Sequence, residues 1–175
     1  NEEWVDFGRE IIPWAIENLN VQAHFFNDYW EDIGTIRAFY EANLDLAAPL
    51  PKFNFFKTDA PIYTRSRYLP PTKLLDCKVV ESMVGEGCIL RECTVNRSVI
   101  GIRSRIETGS VIDNVLLMGS DFYESPQERL QTVESGKVPL GIGANTIIQR
   151  AIIDKNARIG RNVRMLNQDR VQEGN

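Results

Sequence analysis

The stretch AIIDKNARIGRNVRM, residues 151–165, places apolar side chains at an interval of six residues. Ile153, Ile159 and Met165 form one series. A second series with the same period contains Ala151, Ala157 and Val163. An α-helix repeats a face about every 3.6 residues and a strand about every 2 residues, so neither element by itself explains the pattern. The interval predicts a parallel β-helix with three flat faces, in which each hexad supplies one short strand and one corner.

The same template extends through much of the chain. An aliphatic residue and a small or apolar residue four positions later are both predicted to point into the prism, while Gly, Asp or Asn relaxes the corners. The matching pairs are Val84 and Cys88, Leu90 and Thr94, Ile100 and Ser104, Ile106 and Ser110, Ile112 and Leu116, Ile147 and Ala151, Ile153 and Ala157, and Ile159 and Val163. About 18 residues should complete one coil. Because SVIGIR (98–103) follows the similar SMVGEG (82–87) at an interval shorter than three full hexads, one corner is expected to be trimmed.

Two features interrupt or end this pattern. Residues 119–141 abandon the period, are rich in charge and contain Pro126 and Pro139, which predicts an excursion from the prism. The period stops soon after Met165 without a capping element, and because a solenoid needs a terminal cap, we expect the sequence to be truncated at this end.

Residues 1–48 follow different rules and resemble part of an α/β domain. Residues 6–20 have helical apolar spacing, and VQAHFF (21–26) is typical of a short strand. Gly34 predicts a turn, after which Thr35 can cap a helix over residues 35–47.

A proline-rich connector over residues 49–73 separates this part from the hexads. Its aromatic residues predict that it runs packed along a surface. The predicted domains are therefore residues 1–48, the connector, and a β-helix over residues 74–175.

Composition excludes several classes of protein. Hydrophobic residues make up 43% of the chain, which is enough for a substantial core, and the net charge of −4 predicts no general attraction to nucleic acid or to an anionic membrane. No apolar run approaches the roughly 20 residues of a membrane span. Cys77, Cys88 and Cys93 lack metal-ligand spacing and are interpreted as small buried hydrophobic residues in a reducing compartment, and the single histidine, His24, is interpreted as structural.

Several stretches resemble the ADP-glucose pyrophosphorylase (glucose-1-phosphate adenylyltransferase) family, in its plastid or cyanobacterial variety. They are DFGREIIP (6–13), DYWEDIGTI (28–36), FYEANL (39–44), PIYTRSRYLPPTK (61–73), GEGC (85–88), LLMGSDFYES (116–125), GIGANT (141–146), RAIIDKNARIG (150–160) and VQE (171–173). The resemblance implies the C-terminal part of a nucleotidyltransferase α/β domain followed by a left-handed parallel β-helix of hexapeptide repeats. The handedness comes from the resemblance, whereas the six-residue period predicts the β-helix independently.

The resemblance also implies an activity. Family members make ADP-glucose and pyrophosphate from ATP and glucose 1-phosphate, with Mg²⁺, for starch or glycogen synthesis. They are activated by 3-phosphoglycerate, inhibited by phosphate, and assembled as homo- or hetero-tetramers. The family's glycine-rich loop, catalytic aspartate and sugar-phosphate lysine would lie upstream of this chain, so we assign it no catalytic residue and expect it to be inactive alone. The expected location is the plastid stroma, or the cytoplasm for a cyanobacterial source.

The resemblance assigns two groups of site residues. Asp32 would be a Mg²⁺ ligand and Trp30 would flank the sugar, while Asp6 and Phe7 would line the glucose pocket. The alternatives are that Asp32 caps the turn before Gly34 and that Asp6 caps the helix that follows it. Glu31 is interpreted as a solvated neighbour.

The second group would bind the anionic effectors and consists of Arg65, Arg67, Asp154 and Lys155. Arginine matches phosphate with two parallel donors, and lysine adds a point charge. The alternative for this group is ordinary surface charge. For Arg158, Arg161 and Arg164 we expect solvated side chains on the outside of the prism.

Other functions stay open. The complete protein could be a non-catalytic regulatory subunit of the same hetero-oligomer, or another sugar-nucleotide transferase with a β-helix tail. A hexapeptide acyltransferase is disfavoured, because such enzymes usually place a catalytic histidine between coils and residues 74–175 contain none. The residues leave the type of subunit, large or small, undecided.

Overall fold

The computed structural model describes residues 4–167, which divide into two compact units. One unit ends at Trp30 and the other begins at Glu31. No helix among the described residues is long and apolar enough to cross a membrane.

The first unit is helical. A π-helical turn, Phe7–Ile11, continues directly into helix α1, Ile12–Asn18. Pro13 lies in the first turn of α1, a position where proline is common. The strand predicted at residues 21–26 was wrong, since this segment forms neither strand nor helix. A strand requires a neighbour with which to pair, and no strand occurs between residues 4 and 72.

The first regular element of the second unit is helix α2, Ile36–Asp45. Thr35 caps this helix, as the sequence predicted. The Thr35 hydroxyl accepts a hydrogen bond from the Ala38 N–H at 3.1 Å. The connector that follows has no regular element before Lys73. Its expected packing was wrong, because Tyr63 and Tyr68 are 92% and 95% exposed.

Short parallel strands make up most of this unit. They are β1 (Lys73–Leu75), β2 (Lys78–Val80), β3 (Met83–Val84), β4 (Ile89–Arg91), β5 (Thr94–Asn96), β6 (Val99–Ile100), β7 (Arg105–Ile106), β8 (Val111–Leu117), β9 (Gly141–Ile142), β10 (Ile147–Ile153), β11 (Arg158–Ile159) and β12 (Arg164–Leu166). One face has the order β1-β4-β7-β9-β11, and a second has the order β12-β10-β8-β5-β2. The longer strand β8 continues around a corner and pairs with β6, which pairs with β3. These pairings give the three faces that the six-residue period predicted.

The coils are shorter than the three full hexads that the sequence predicted. Lys73 pairs with Ile89 in the next coil, and Thr94 pairs with Val111. Both pairs are closer together in the chain than three hexads would place them. Buried Leu117 follows buried Ile112 one position earlier than a hexad allows. The trimmed corner is therefore a regular feature of these coils.

The core is a stack of aliphatic residues. Leu90, Ile106 and Ile142 lie on neighbouring strands of one face and are almost completely buried. The predicted inward position was wrong by one residue at Ile147 and at Thr94, because Ile148 and Val95 are completely buried while Ile147 and Thr94 are only partly buried. Pairing explains the correction, since Ile148 lies directly over Ile112.

Many corners adopt left-handed backbone conformations. Asn114, Asn145, Asn156 and Asn162 have φ between 54° and 59°. Asparagine tolerates this region better than most residues, as the sequence predicted. Charged residues occupy other corners in the same conformation, for example Glu92 with φ 41°.

The segment 119–141 leaves the prism and contains helix α3, Pro126–Glu134. Ser125 and Glu128 form a reciprocal capping box at its start. The Glu124 carboxylate is 6% exposed and accepts a hydrogen bond from the Leu140 N–H at 2.9 Å. This contact joins the two ends of the excursion.

Candidate functional site

The first unit contains three of the predicted sugar-site residues. Phe7 and Trp30 are 67% and 74% exposed. Asp6 caps the π-helical turn, since its carboxylate accepts a hydrogen bond from the Arg9 N–H at 2.7 Å. The capping alternative for Asp6 is therefore realised, and its role with substrate stays a prediction.

Asp32 lies in the second unit, immediately before α2. Its Oδ1 accepts a hydrogen bond from the Gly34 N–H at 2.9 Å, which forms the predicted turn. A Cβ at position 34 would lie 3.0 Å from this oxygen, so glycine leaves room for the turn. The side chain is exposed. The turn thus presents the carboxylate at the beginning of a capped helix.

Helix α2 is attached to the β-helix by a hydrogen bond that the sequence did not predict. The Tyr40 hydroxyl donates to the Asn114 carbonyl oxygen at 2.6 Å. Burial raises the pKa of Tyr40, so the hydroxyl keeps its proton and remains a donor at neutral pH. Because α2 follows the Asp32 turn directly, this contact sets where the turn lies relative to strand β8.

The predicted effector residues fall in two places. Arg65 and Arg67 are exposed in the connector, where the Arg67 guanidinium donates to the Arg65 carbonyl oxygen at 3.3 Å. Asp154 and Lys155 follow strand β10 at a corner, where the Lys155 N–H donates to Asp154 Oδ1 at 2.7 Å. Within residues 4–167, neither connector arginine forms a hydrogen bond or ion pair with Lys155.

The partner of Lys155 is a residue that the sequence analysis missed. Lys155 Nζ lies 3.2 Å from Asp121 Oδ1, and both side chains are about half exposed. Asn156 Nδ2 donates to Asp121 Oδ2 at 2.8 Å. Hydrogen bonds from Asn156 and then Lys155 hold the pKa of Asp121 below its ordinary value. No short-range sequence signal joins Asp121 to Lys155, since they are 34 positions apart and meet only through the coil stacking.

A second ionic cluster corrects the expectation for Arg158. Its guanidinium lies 2.5 Å from the Glu124 carboxylate and donates to the Val138 carbonyl oxygen at 2.9 Å, so it is not a purely solvated charge. Arg129 lies 3.4 Å from the same carboxylate and 3.2 Å from Glu107. Burial lowers the pKa of Arg129, which nevertheless stays charged at neutral pH. This cluster anchors the excursion, and its cations are already paired with carboxylates.

Among residues 4–167, no group of three or more His, Cys, Asp or Glu side chains is arranged to hold a metal ion. A magnesium ion commonly takes one or two carboxylates, with substrate phosphates and water as its remaining ligands. The exposed carboxylate of Asp32 fits the role of one such ligand.

Two family models match the chain. The model described as the GLGC left-handed parallel beta-helix domain covers residues 67–175, and the model described as nucleotidyl transferase covers residues 2–48. The first match includes more than half of the chain and agrees with the three-faced stack of parallel strands. The chain therefore belongs to the family that carries the GLGC β-helix, and together with the nucleotidyl transferase segment this match supports a sugar-nucleotide transferase of the ADP-glucose pyrophosphorylase kind.

Proposed function

We propose that the complete protein forms ADP-glucose and pyrophosphate from ATP and glucose 1-phosphate. The observation that carries this proposal is the order of the two matched segments, a nucleotidyl transferase segment followed by a GLGC β-helix in one chain. An oxygen of the sugar phosphate attacks the α-phosphorus of ATP, a new P–O bond forms, and the bond to the departing pyrophosphate breaks. The protein acts mainly by positioning anions.

The residues of this chain have distinct proposed roles. Asp32 holds Mg²⁺, which when bound neutralises charge on the reacting phosphates. Trp30 flanks the glucose ring, and Asp6 and Phe7 line its pocket. The exposure of Phe7 and Trp30 supports these roles, because large aromatic side chains open to solvent are available to a sugar. The Asp32 turn supports its role by fixing one carboxylate oxygen through the Gly34 N–H.

Replacing Asp32 tests the proposed metal role. In the complete protein, Asp32→Asn keeps an oxygen for the Gly34 N–H and removes the charge. We expect turnover to fall at least about tenfold, which corresponds to about 1.4 kcal/mol in the barrier. Pyrophosphate release at varied Mg²⁺ measures the effect, and Glu31→Gln is the control for loss of a neighbouring charge. Unchanged turnover and Mg²⁺ dependence in Asp32→Asn would remove Asp32 from the metal site.

We further propose that Lys155, Asp154, Arg65 and Arg67 belong to a site for anionic effectors, with 3-phosphoglycerate as activator and inorganic phosphate as inhibitor. Lys155 supports this proposal because its side chain is half exposed at a corner of the β-helix whose backbone is held by the stacked coils. A charged group held on a rigid element binds with a smaller loss of entropy than one on a flexible loop.

Lys155→Ala is expected to weaken activation by 3-phosphoglycerate while the unactivated rate stays near that of the wild type. The reason is that the substitution removes a charge from the effector site and none from the substrate site. Activation curves for pyrophosphate release provide the measurement. Arg161→Ala is the control, since Arg161 is an exposed cation on the same β-helix. An activation constant for Lys155→Ala equal to that of the control would exclude Lys155 from the site.

A further inference from the structure

We propose that Asp121 is a built-in competitor for anionic ligands at Lys155. In the absence of ligand the Asp121 carboxylate forms an ion pair with the Lys155 ammonium group. Phosphate or a phosphorylated metabolite must displace this carboxylate in order to bind Lys155. This inference rests on the proposed effector role of Lys155 and adds a residue that sets the affinity of that site.

The backbone brings the two residues together. The excursion leaves the prism at the corner beside Lys155, where the Asn156 N–H donates to the Gly119 carbonyl oxygen at 3.0 Å. Gly119 has φ +87°, and a Cβ there would collide with the Ile102 carbonyl oxygen. Only glycine fits this departure point without a shift of the backbone. The exit of the excursion therefore places Asp121 next to Lys155 as a consequence of the fold.

Asn156 holds the Asp121 carboxylate in position. The Asp121 N–H donates to Asn156 Oδ1 at 2.8 Å, and Asn156 Nδ2 donates to Asp121 Oδ2 at 2.8 Å. This reciprocal pair leaves Oδ1 directed at Lys155 Nζ, 3.2 Å away. Because Asn156 already restrains the carboxylate, Asp121 loses little additional side-chain entropy when the ion pair forms.

The ion pair is open to exchange. The side chains of Lys155 and Asp121 are 51% and 54% exposed, so a ligand can reach the ammonium. Phosphate oxygens are acceptors of the same kind as the carboxylate oxygen, and a bound anion would also lie beside the negative charge of Asp121. Exposed ion pairs are weak, so removal of the competitor should tighten phosphate binding by about two- to fivefold rather than by orders of magnitude.

A double-mutant cycle in the complete protein tests this proposal. Inorganic phosphate is titrated by isothermal calorimetry into the wild type, Asp121→Asn, Lys155→Gln and the double variant. Asp121→Asn keeps an oxygen for Asn156 Nδ2 and removes the charge. Glu134→Gln removes the same charge from α3 of the same excursion and serves as the matched control. Thermal unfolding of each variant checks that the fold is intact.

We expect Asp121→Asn to lower the phosphate Kd by about two- to fivefold, Glu134→Gln to leave it unchanged, and Asp121→Asn to have no effect in the Lys155→Gln background. An unchanged or higher Kd in Asp121→Asn, together with weaker binding in Lys155→Gln, would overturn this inference and leave the proposed effector site in place. Phosphate binding that is unaffected by Lys155→Gln would overturn the effector role of Lys155, and the inference with it.

Discussion

At the scale of single residues, the stacked aliphatic side chains should dominate stability. Ile106 is completely buried between Leu90 and Ile142 of the neighbouring coils. Ile106→Ala leaves a cavity in a narrow prism, and we expect the free energy of unfolding to fall by about 2–5 kcal/mol. Denaturant unfolding measures this loss. The control Leu130→Ala, at a position 65% exposed on α3, should change stability by less than about 0.5 kcal/mol, and equal losses in the two variants would contradict the proposed core.

The cysteines provide a second test at this scale. Burial, assisted by the neighbouring Cys77 thiol, raises the pKa of Cys93 to about 12, so the thiol is protonated at neutral and mildly alkaline pH. Since the thiolate is the reactive form, alkylation of native Cys93 by iodoacetamide at about pH 8 should be at least about a hundredfold slower than that of an exposed thiol. Leu130→Cys supplies the exposed reference. Mass spectrometry of the alkylated peptides gives both rates, and similar rates would show that Cys93 is not buried.

At the scale of elements, the excursion depends on one carboxylate. Glu124 accepts from the Leu140 N–H and forms ion pairs with Arg129 and Arg158. Glu124→Gln leaves Arg158 without its carboxylate partner and Arg129 with Glu107 alone. We therefore expect the excursion to open more often and trypsin to cut after Lys137 at least about tenfold faster. Gel analysis of a digestion time course follows the cut. Glu134→Gln is the control, and equal cleavage in both variants would show that Glu124 does not hold the excursion.

The sequence alone predicted many of the residues that point into the core of the β-helix. The inward positions of Ile100, Ile106 and Ile112 followed from the six-residue period and are buried in the structure. The period could not decide between adjacent Ile147 and Ile148, because both are apolar and only the pairing with β8 selects one of them.

The sequence also could not predict contacts between residues that are far apart in the chain. The prediction of a strand at residues 21–26 was wrong, because a strand forms only where a neighbouring strand is available to pair with it, whatever its composition. Asp121 was missed for a related reason. Its contact with Lys155 requires the excursion to begin beside the correct corner, and the period that locates corners does not extend into the excursion.

At the scale of the whole molecule, the stacked strands of the β-helix carry two proposed functional parts. Tyr40 ties α2, and with it the Asp32 turn, to strand β8. Lys155 lies at a corner that follows β10, and β10 pairs with β8 along most of its length. The strands β8 and β10 thus form a continuous hydrogen-bonded path between the attachment of the Asp32 turn and the proposed effector corner.

The most direct test of the account is the identity of the product. The complete protein is incubated with glucose 1-phosphate, Mg²⁺ and each common nucleoside triphosphate in turn, with and without 3-phosphoglycerate, and the sugar nucleotide is identified by mass spectrometry. We predict ADP-glucose with stoichiometric pyrophosphate, and the highest kcat/KM with ATP. A higher kcat/KM with another nucleotide, or no sugar nucleotide under any of these conditions, would contradict it.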